Sequence, residues 1–514
     1  MHFRPFFTKF HTLVSEEQTE VTVGTGSSSS MARPNILFIL SDQHSKFHLG
    51  CYGDPLVRTP HLDRLASEGM RFANAYTPSP LCAPARMAFM TGRRPSANQV
   101  WSNDHILNSA LPTWAHAVGA AGYETALLGR MHFVGPDQRH GFERRPIGEH
   151  TARHPGASQQ GGPLFKNIPS STSGQTRECV EIAGYGRTTY QAFDDRVAEA
   201  ACTYLEEKAQ THDRPFAAVA GFVLPHCPFF APKDLYDYYY DRVDVPQPDP
   251  TGEPAAVTNF KKRRLIDEPL PAERIRVARA AYLGLCSYFD RKVGQLLDQL
   301  DETGLRDNTL VIYSSDHGEM AGEHGCWWKS NYYEGSVGVP LIARLPGVIP
   351  AGVENPVLCN LLDWAPTAAE VASGDPLPST DGHSLWRELQ GHADDARPDT
   401  TFSELGPSRG DSPSRMIRQG PWKLYKYHDD TPPALFNLAD DPGEWNDLGS
   451  DSAYADLRQN LLDRLYADWD PEQVAQCSAE LTRDAQLLTT WGQAVQPLHE
   501  DTLPVEDAED VVRC

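Results

Sequence analysis

The chain has 514 residues, enough for one large domain and a smaller one, and its content of 40% hydrophobic and 22% charged residues is that of a folded globular protein. There are 46 lysine and arginine residues against 69 aspartate and glutamate residues, and the net charge of −23 argues against a nucleic-acid-binding or anionic membrane surface. The longest apolar run, residues 216–224, is about half the length that spans a bilayer. We therefore expect neither a nucleic acid nor a membrane as partner.

The first 32 residues predict a disordered leader, because residues 24–30 have a flexible linker composition and Met31 follows them. Charged and polar side chains at Arg4, Lys9 and His11 interrupt the apolar residues that a secretory signal would need. The ten cysteines show no paired spacing. These features predict a cytoplasmic protein without a disulfide scaffold and leave open whether it forms a homo-oligomer.

Strand-like and helix-like segments alternate from residue 35 to residue 314. Strands are predicted at 35–40, 72–76, 123–128, 216–224 and 308–314, and helices at 60–68, 111–121, 193–208 and 274–300. Thr59 is the expected N-cap of the first helix. This alternation predicts an α/β fold over residues 33–375, with a large mixed, mostly parallel sheet sandwiched by helices. The polar stretches 154–176 and 245–253 are expected as surface loops, and the first also as a possible rim of the active site.

The composition changes near residue 376, which predicts a smaller C-terminal α+β domain over residues 376–475. Its expected elements are short antiparallel strands at 415–418, 422–427 and 435–437 and a helix at 454–469. Residues 476–514 are expected to form a C-terminal tail, disordered where it is acidic at 500–510.

The most informative stretch is residues 80–93, which contain a C-x-P-x-R box followed by T-G-R. Pro84 suits the first turn of a helix, so Cys82 is predicted at a helix N-terminus with Arg86 one turn further on. Such a terminus favours an anion. A lone cysteine before a helix is more often structural, but the joint pattern with T-G-R is specific enough to predict a functional residue.

This box, together with further motifs in the same order, resembles the type I sulfatases of the alkaline phosphatase superfamily over residues 33–470. The other motifs are Asp42-Gln43, residues 50–53 and 59–63, residues 129–132, Pro225-His226-x-Pro228, Ser315-Asp316-His317-Gly318, Trp328-Lys329, residues 333–335, 339–341 and 420–424. Residues 79–86 and 131–141 are most similar to the choline-sulfatase branch. The resemblance implies an alkaline-phosphatase-like sulfatase fold and a sulfuric ester hydrolase.

The resemblance also implies a modified nucleophile. In that family the box cysteine is oxidised to formylglycine, an aldehyde that hydrates to a geminal diol, which implies the same change at Cys82 and a maturing enzyme as partner. One hydroxyl attacks sulfur and displaces the alcohol, and the other loses its proton and expels sulfate by C–O cleavage. A plain serine ester would instead need water to attack sulfur a second time.

One divalent cation is implied as the cofactor, most often Ca²⁺ in the family. Its expected ligands are Asp42, Gln43, residue 82, Asp316 and His317. Carboxylate and amide oxygens suit Ca²⁺ or Mg²⁺ better than zinc. The alternative role for His317 is to bind the sulfate.

Two basic residues are expected around the nucleophile. Arg86 would hold the diol and the carboxylates near the metal. Arg130 stands where most family members carry lysine, and its planar fork differs from a compact ammonium, which leaves a direct sulfate contact open. His132 is the expected base for the second hydroxyl of the diol.

Three further residues are expected to contact the substrate. His226 and Lys329 would surround the bridging oxygen and protonate or neutralise the leaving alkoxide. Asn103 matches an asparagine that donates to sulfate in the choline-sulfatase branch, although an isolated asparagine in a loop is also a common turn residue.

The alcohol part of the substrate is left open between a small ester like choline-O-sulfate and a sulfated carbohydrate. Residues 147–156, where the choline-sulfatase branch places a tryptophan, contain no aromatic side chain. A phosphonate monoester hydrolase or phosphodiesterase of the same superfamily is the alternative function, and His226 with Trp328-Lys329 favours the sulfatase. A non-catalytic binding protein is disfavoured because the nucleophile, metal set and histidines are all present.

Overall fold

The structure, a computed structural model, describes residues 33–150, 154–155, 164–168, 175–211, 213–247, 252–407, 412–497, 503 and 508–514. The strands are β1 (Asn35–Asp42), β2 (Met70–Tyr76), β3 (Glu124–Gly129), β4 (Arg144–Ile147), β5 (Gly184–Tyr185), β6 (Phe216–Pro225), β7 (Phe230–Ala231), β8 (Thr309–Ser315), β9 (Leu341–Arg344), β10 (Val353–Asn360), β11 (Thr400–Leu405), β12 (Ser414–Gln419), β13 (Trp422–Tyr427), β14 (Ala434–Asn437) and β15 (Val512–Arg513). The helices are α1 (Pro60–Ser67), α2 (Cys82–Thr91), α3 (Pro95–Asn98), α4 (Trp114–Ala120), α5 (Arg177–Glu181), α6 (Thr189–Thr211), α7 (Lys233–Tyr240), α8 (Ala255–Arg263), α9 (Ala272–Glu302), α10 (Glu334–Val337), α11 (Trp364–Val371), α12 (Trp386–Leu389), α13 (Ala455–Tyr466) and α14 (Pro471–Val495).

An eight-stranded mixed sheet forms the centre of the large domain, in the order β10-β2-β9-β8-β1-β6-β3-β4. β9 runs antiparallel to both of its neighbours, and the other pairs are parallel. Every residue of β1 is buried, which explains the unbroken apolar run from Ile36 to Leu40 before its polar end. The predicted mixed, mostly parallel sheet is confirmed.

Helices cover both faces of this sheet. On one face, α6 and α9 supply Phe193 and Phe289 to a large apolar cluster. On the other, Phe89 of α2, Trp114 of α4 and Trp364 of α11 belong to a second cluster, and the Trp114 ring lies edge-on 5.9 Å from each of the other two. The predicted sandwich is therefore confirmed, and α2 is anchored through its apolar side chains directly on the sheet.

Thr59 occupies the predicted N-cap position of α1, but the prediction that its side chain caps the helix is wrong. Thr59 precedes the helix, but its hydroxyl makes no capping bond and instead donates to Asp63 at 3.2 Å. The buried carboxylate of Asp290, on α9, accepts the N–H groups of His61 and Leu62 at 3.1 and 2.9 Å. A partner 228 and 229 residues away in the chain leaves no local sequence pattern, so the cap could not be predicted.

The smaller C-terminal domain contains a four-stranded antiparallel sheet, β11-β12-β13-β14. The three predicted strands are present, and β11 is an edge strand that the sequence analysis did not identify. α13 packs Leu461 and Leu465 against Ile417 of β12. Residues 33–514 form one compact unit, so a domain boundary at residues 375 and 376 stays a prediction.

The C-terminal region differs from the predicted tail, because α14 occupies residues 471–495. Asp470 caps this helix by accepting the N–H groups of Glu472 and Gln473 at 2.9 and 3.2 Å, and Pro471 fills its first turn. The acidic segment 500–510 lies mostly outside the described residues, and the predicted leader 1–32 lies entirely outside them. Within the described part of the chain, no helix has the length and apolar character needed to cross a bilayer.

Candidate active site

The predicted site residues converge at the carboxyl edge of the large sheet. β1 ends at Asp42, and Ser41 lies in register with Ser315 at the end of β8, which brings Asp42 beside Asp316. Arg130 and His226 directly follow β3 and β6, the next strands along the same edge. In open α/β sheets, ligands bind at the carboxyl ends of the strands, which is where these polar groups lie.

Cys82 is the first residue of α2, as predicted, and is buried. Its Sγ lies 3.2 Å from Nε2 of His317 and 3.7 Å from Oδ1 of Asp42. Burial and the Asp42 carboxylate raise the pKa of the thiol, but the positive charges of Lys329 and His317 and a hydrogen bond from His226 outweigh them and lower the pKa to about 5. The site therefore stabilises a negative charge on the side chain at position 82.

Arg86, one turn further along α2, is fully buried and holds both strand-end carboxylates. Its Nε donates to Oδ2 of Asp316 at 2.8 Å, and its Nη2 donates to Oδ2 of Asp42 at 3.3 Å. Arg130 Nε donates to the same Asp42 oxygen at 2.8 Å. Burial raises the pKa of Asp42, but positive charges, Arg130 foremost, outweigh it and hold the pKa well below its usual value. The other oxygen of Asp42, Oδ1, remains directed at the nucleophile.

Four of the five predicted metal ligands lie together. One ligand atom from each of Asp42, Cys82, Asp316 and His317 is within 4.8 Å of all the others, and all four side chains are buried. His317 Nε2 is 3.7 Å from Oδ1 of Asp42 and 3.5 Å from Oδ1 of Asp316. Two buried carboxylates, with an imidazole and the side chain at position 82 beside them, fit one divalent cation in donor chemistry and in charge.

Gln43, the fifth predicted ligand, connects this cluster to Lys329. It follows β1 with a left-handed backbone, φ 70°, and its N–H donates to Oδ1 of Asp316 at 3.1 Å. Its amide oxygen accepts a hydrogen bond from Nζ of Lys329, and its amide nitrogen donates to Oε2 of Glu319 at 2.5 Å. A direct bond between Gln43 and a cation stays a prediction.

Arg130 contacts His132 as well as Asp42. Nη2 of Arg130 lies 2.9 Å from Nδ1 of His132. Because a guanidinium can only donate, Nδ1 accepts, and a neutral ring then carries its hydrogen on Nε2. The planar fork of arginine makes both contacts at once, which the single ammonium of a lysine would not reproduce. The predicted base role of His132 therefore requires Arg130 to release Nδ1.

His226 and Lys329 are both buried and both favour the protonated form. Nδ1 of His226 lies 2.5 Å from the carbonyl oxygen of Cys227, to which it donates. Burial and Lys329 lower the pKa of His226, but negative charge at Cys227 and Asp42 raises it well above its usual value. Burial lowers the pKa of Lys329, and negative charge at Cys82 and Asp42 outweighs this and raises it. Two proton donors thus lie near the nucleophile.

Asn103 lies beside the nucleophile, although its observed contact is structural. Its Oδ1 accepts the N–H of Ala83 at 2.9 Å, directly after Cys82 at the start of α2. The amide nitrogen is the end that would donate to sulfate, and this role stays a prediction.

The sheet and site together define a hydrolase of the alkaline-phosphatase-like sulfatase fold, and comparisons with known proteins agree. The profile of the family described as Sulfatase matches residues 34–374, and that of the N-sulphoglucosamine sulphohydrolase C-terminal region matches residues 322–469. The chain belongs to the sulfatase family and is a sulfuric ester hydrolase.

Individual proteins show the same relationship. The chain is 34% identical to a choline-sulfatase of Rhizobium meliloti over 86% of this chain and 88% of that one. It is 30% identical to an ulvan-active sulfatase of Formosa agariphila, over 84% and 80%. The crystal structure of a phosphonate monoester hydrolase of Agrobacterium radiobacter shares the fold, with a TM-score of 0.71 at 22% identity over 85% of this chain and 95% of that one.

Glu149 is a further residue of the site that was not predicted from the sequence. Its buried carboxylate accepts the N–H groups of Met131 and His132 at 2.8 and 2.5 Å and thereby supports the left-handed backbone of His132, φ 64°. Glu149 lies in a stretch without a motif, so no sequence signal marks it. Glu319 was missed too, although it directly follows the Asp316-His317-Gly318 motif, which could have drawn attention to it.

Proposed function

We propose that this sulfatase cleaves a sulfate monoester with a formylglycine nucleophile made from Cys82. The position of Cys82 is the observation that carries the proposal: it begins α2, its Sγ lies 3.2 Å from Nε2 of His317, and its surroundings lower the pKa of its thiol to about 5. A hydrated formylglycine needs the same stabilisation for the oxygen that attacks sulfur. A formylglycine-generating or equivalent maturing enzyme is the partner that this modification requires.

Asp42, Gln43, Asp316 and His317 would hold one divalent cation together with residue 82, and we propose Ca²⁺. Oxygen donors dominate this set, which suits a hard cation. When bound, the cation would neutralise the sulfate oxygens and lower the pKa of the attacking hydroxyl. Arg86 and Arg130 keep the Asp42 carboxylate ionised and oriented, because both donate hydrogen bonds to its Oδ2.

The protein side chains would then manage the protons. His226 and Lys329, both favouring the protonated form, are proposed to protonate or neutralise the leaving alkoxide as the S–O bond to the alcohol breaks. His132 is proposed to take the proton of the second hydroxyl at residue 82, once Arg130 has moved from Nδ1. Asn103 is proposed to donate its amide N–H to a sulfate oxygen.

The substrate class is proposed as a small ester like choline-O-sulfate or a lightly sulfated carbohydrate. The choline-sulfatase of Rhizobium meliloti supports the first possibility and the ulvan-active sulfatase of Formosa agariphila the second. The ring of Tyr190 on α6 lies 6.1 Å from that of His226 and offers an aromatic face, which residues 147–150 do not. Because the protein has a negative net charge, long polyanionic chains would be poorer substrates than small or lightly sulfated molecules.

Parallel kinetics test the reaction class. The purified protein, co-produced with a maturing enzyme, is assayed with 4-nitrophenyl sulfate and with a phosphonate monoester of the same leaving group. We expect kcat/KM to be at least about tenfold higher for the sulfate, because the site has both Lys329 and His226 to meet the leaving oxygen. A preference for the phosphonate would contradict the proposal and favour a phosphonate monoester hydrolase or phosphodiesterase.

A further inference from the structure

We propose that Glu319 is a positioning residue that fixes the Gln43 amide and the loop carrying Lys329 in one arrangement. This inference rests on the proposed function, in which Gln43 and Lys329 take part. Glu319 follows β8 by four residues, and its side chain is buried, as is that of Gln43. Its contact with the predicted ligand set is made with Gln43, and it acts through the groups that it holds.

The first group is the Gln43 amide, which has one donating and one accepting end. Nε2 donates to Oε2 of Glu319 at 2.5 Å, and Oε1 accepts from the ammonium of Lys329. A flipped amide would direct its NH₂ group at an ammonium and its oxygen at a carboxylate, two repulsive contacts in a buried site. Glu319 thereby selects the orientation in which the amide oxygen faces the positive charges of the site.

The second group is the loop that leads to Lys329. The other oxygen of Glu319, Oε1, accepts the N–H groups of Ala321 at 2.8 Å and Trp328 at 2.6 Å. Both residues have left-handed backbones, with φ 47° and 62°, a conformation that is unfavourable for a residue with a side chain. Trp328 directly precedes Lys329. One carboxylate therefore positions the amide and, through the backbone, the lysine that donates to it.

A donor-acceptor exchange tests this role. In Glu319→Gln, the new amide can still accept from the two backbone N–H groups with its oxygen, but its NH₂ group then faces that of Gln43. In Gln43→Glu, two carboxylates face each other. In the double variant, the amide of residue 319 donates to the carboxylate of residue 43, so the pair is complementary again although its members are exchanged.

The readouts are the dissociation constant for Ca²⁺, measured by calorimetric titration without substrate, and kcat and KM for 4-nitrophenyl sulfate. We expect each single variant to weaken Ca²⁺ binding and lower kcat by about 10–100-fold, with little change in KM, and the double variant to recover most of both losses. Glu323→Gln is the matched control, because Glu323 pairs with Arg279 outside the site and its loss should change neither quantity.

Unchanged Ca²⁺ affinity and kcat in Glu319→Gln, or losses that simply multiply in the double variant, would overturn the proposal. Thermal melting followed by circular dichroism establishes whether each variant folds. If Glu319→Gln does not fold, the double variant is compared with Gln43→Glu alone. Higher Ca²⁺ affinity and kcat in the double variant than in Gln43→Glu then support the proposal, and equal or lower values contradict it. A parent protein that binds Ca²⁺ but leaves sulfate esters intact would contradict the proposed function alone, since the Ca²⁺ comparison uses no substrate.

Discussion

Replacing Cys82 by alanine is expected to lower kcat for 4-nitrophenyl sulfate by about 10⁴-fold or more, the scale on which removal of a nucleophile acts. Alanine can supply neither the thiol nor the aldehyde derived from it, so no covalent bond to sulfur can form. The fold should persist, because the side chain is small and α2 is anchored by Phe89 and its neighbours rather than by residue 82. Steady-state kinetics with the purified variant measure the loss.

Cys359→Ala is the matched control for that variant. Cys359 is also a buried free thiol, but it lies on β10 in the apolar cluster that contains Phe89 and Trp114. Its Sγ donates to the carbonyl oxygen of Asn74 on β2 and not to a predicted site residue. Its loss should reduce stability slightly and leave kcat within about twofold of the parent value. Activity of Cys82→Ala within tenfold of the parent would refute a nucleophile at this position.

Replacing Asp42 by asparagine is expected to have the second largest effect, a loss in kcat of about 10³-fold, equivalent to several kcal/mol of electrostatic stabilisation. The carboxylate accepts from both Arg86 and Arg130 through Oδ2, and Oδ1 faces Cys82 and His317. The amide would retain one oxygen but remove the negative charge, leaving two buried guanidinium groups less well paired. Ca²⁺ affinity should fall in parallel.

Asp290→Asn serves as the control for that substitution. Asp290 is a buried carboxylate too, but it caps α1 through the N–H groups of His61 and Leu62. We expect a lower melting temperature in this variant and a Ca²⁺ affinity equal to that of the parent. If Asp42→Asn bound Ca²⁺ as tightly as the parent does, the proposed ligand set would be contradicted.

The sequence predicted that Asp42, Asp316 and Cys82 belong to one site, and the structure brings them together because these residues end or follow strands or begin a helix. Asp42 ends β1 and Asp316 directly follows its parallel neighbour β8, and Pro84 marks the turn that presents Cys82. In a parallel sheet, side chains at the carboxyl ends of neighbouring strands lie at the same edge, and this does not depend on the helices that connect the strands. The family resemblance then added the roles, which residue types alone left open.

Supporting contacts were not predictable in the same way. Glu149, Glu319 and Asp290 act by accepting backbone N–H groups, and these bonds depend on how distant segments pack rather than on a local pattern. α14 was not predicted for another reason, since residues 476–514 were expected to form a tail and the helix crosses that boundary. Its cap, Asp470 followed by Pro471, was present as a signal.

The most direct measurement for this account is the mass of the tryptic peptide 72–86, which contains Cys82, together with the specific activity of the same preparation. Conversion to formylglycine removes one sulfur and two hydrogen atoms and adds one oxygen atom. We expect activity per mole to rise in proportion to the converted fraction as a maturing enzyme is co-produced. A preparation that is fully active while every such peptide carries a free thiol would contradict the central claim.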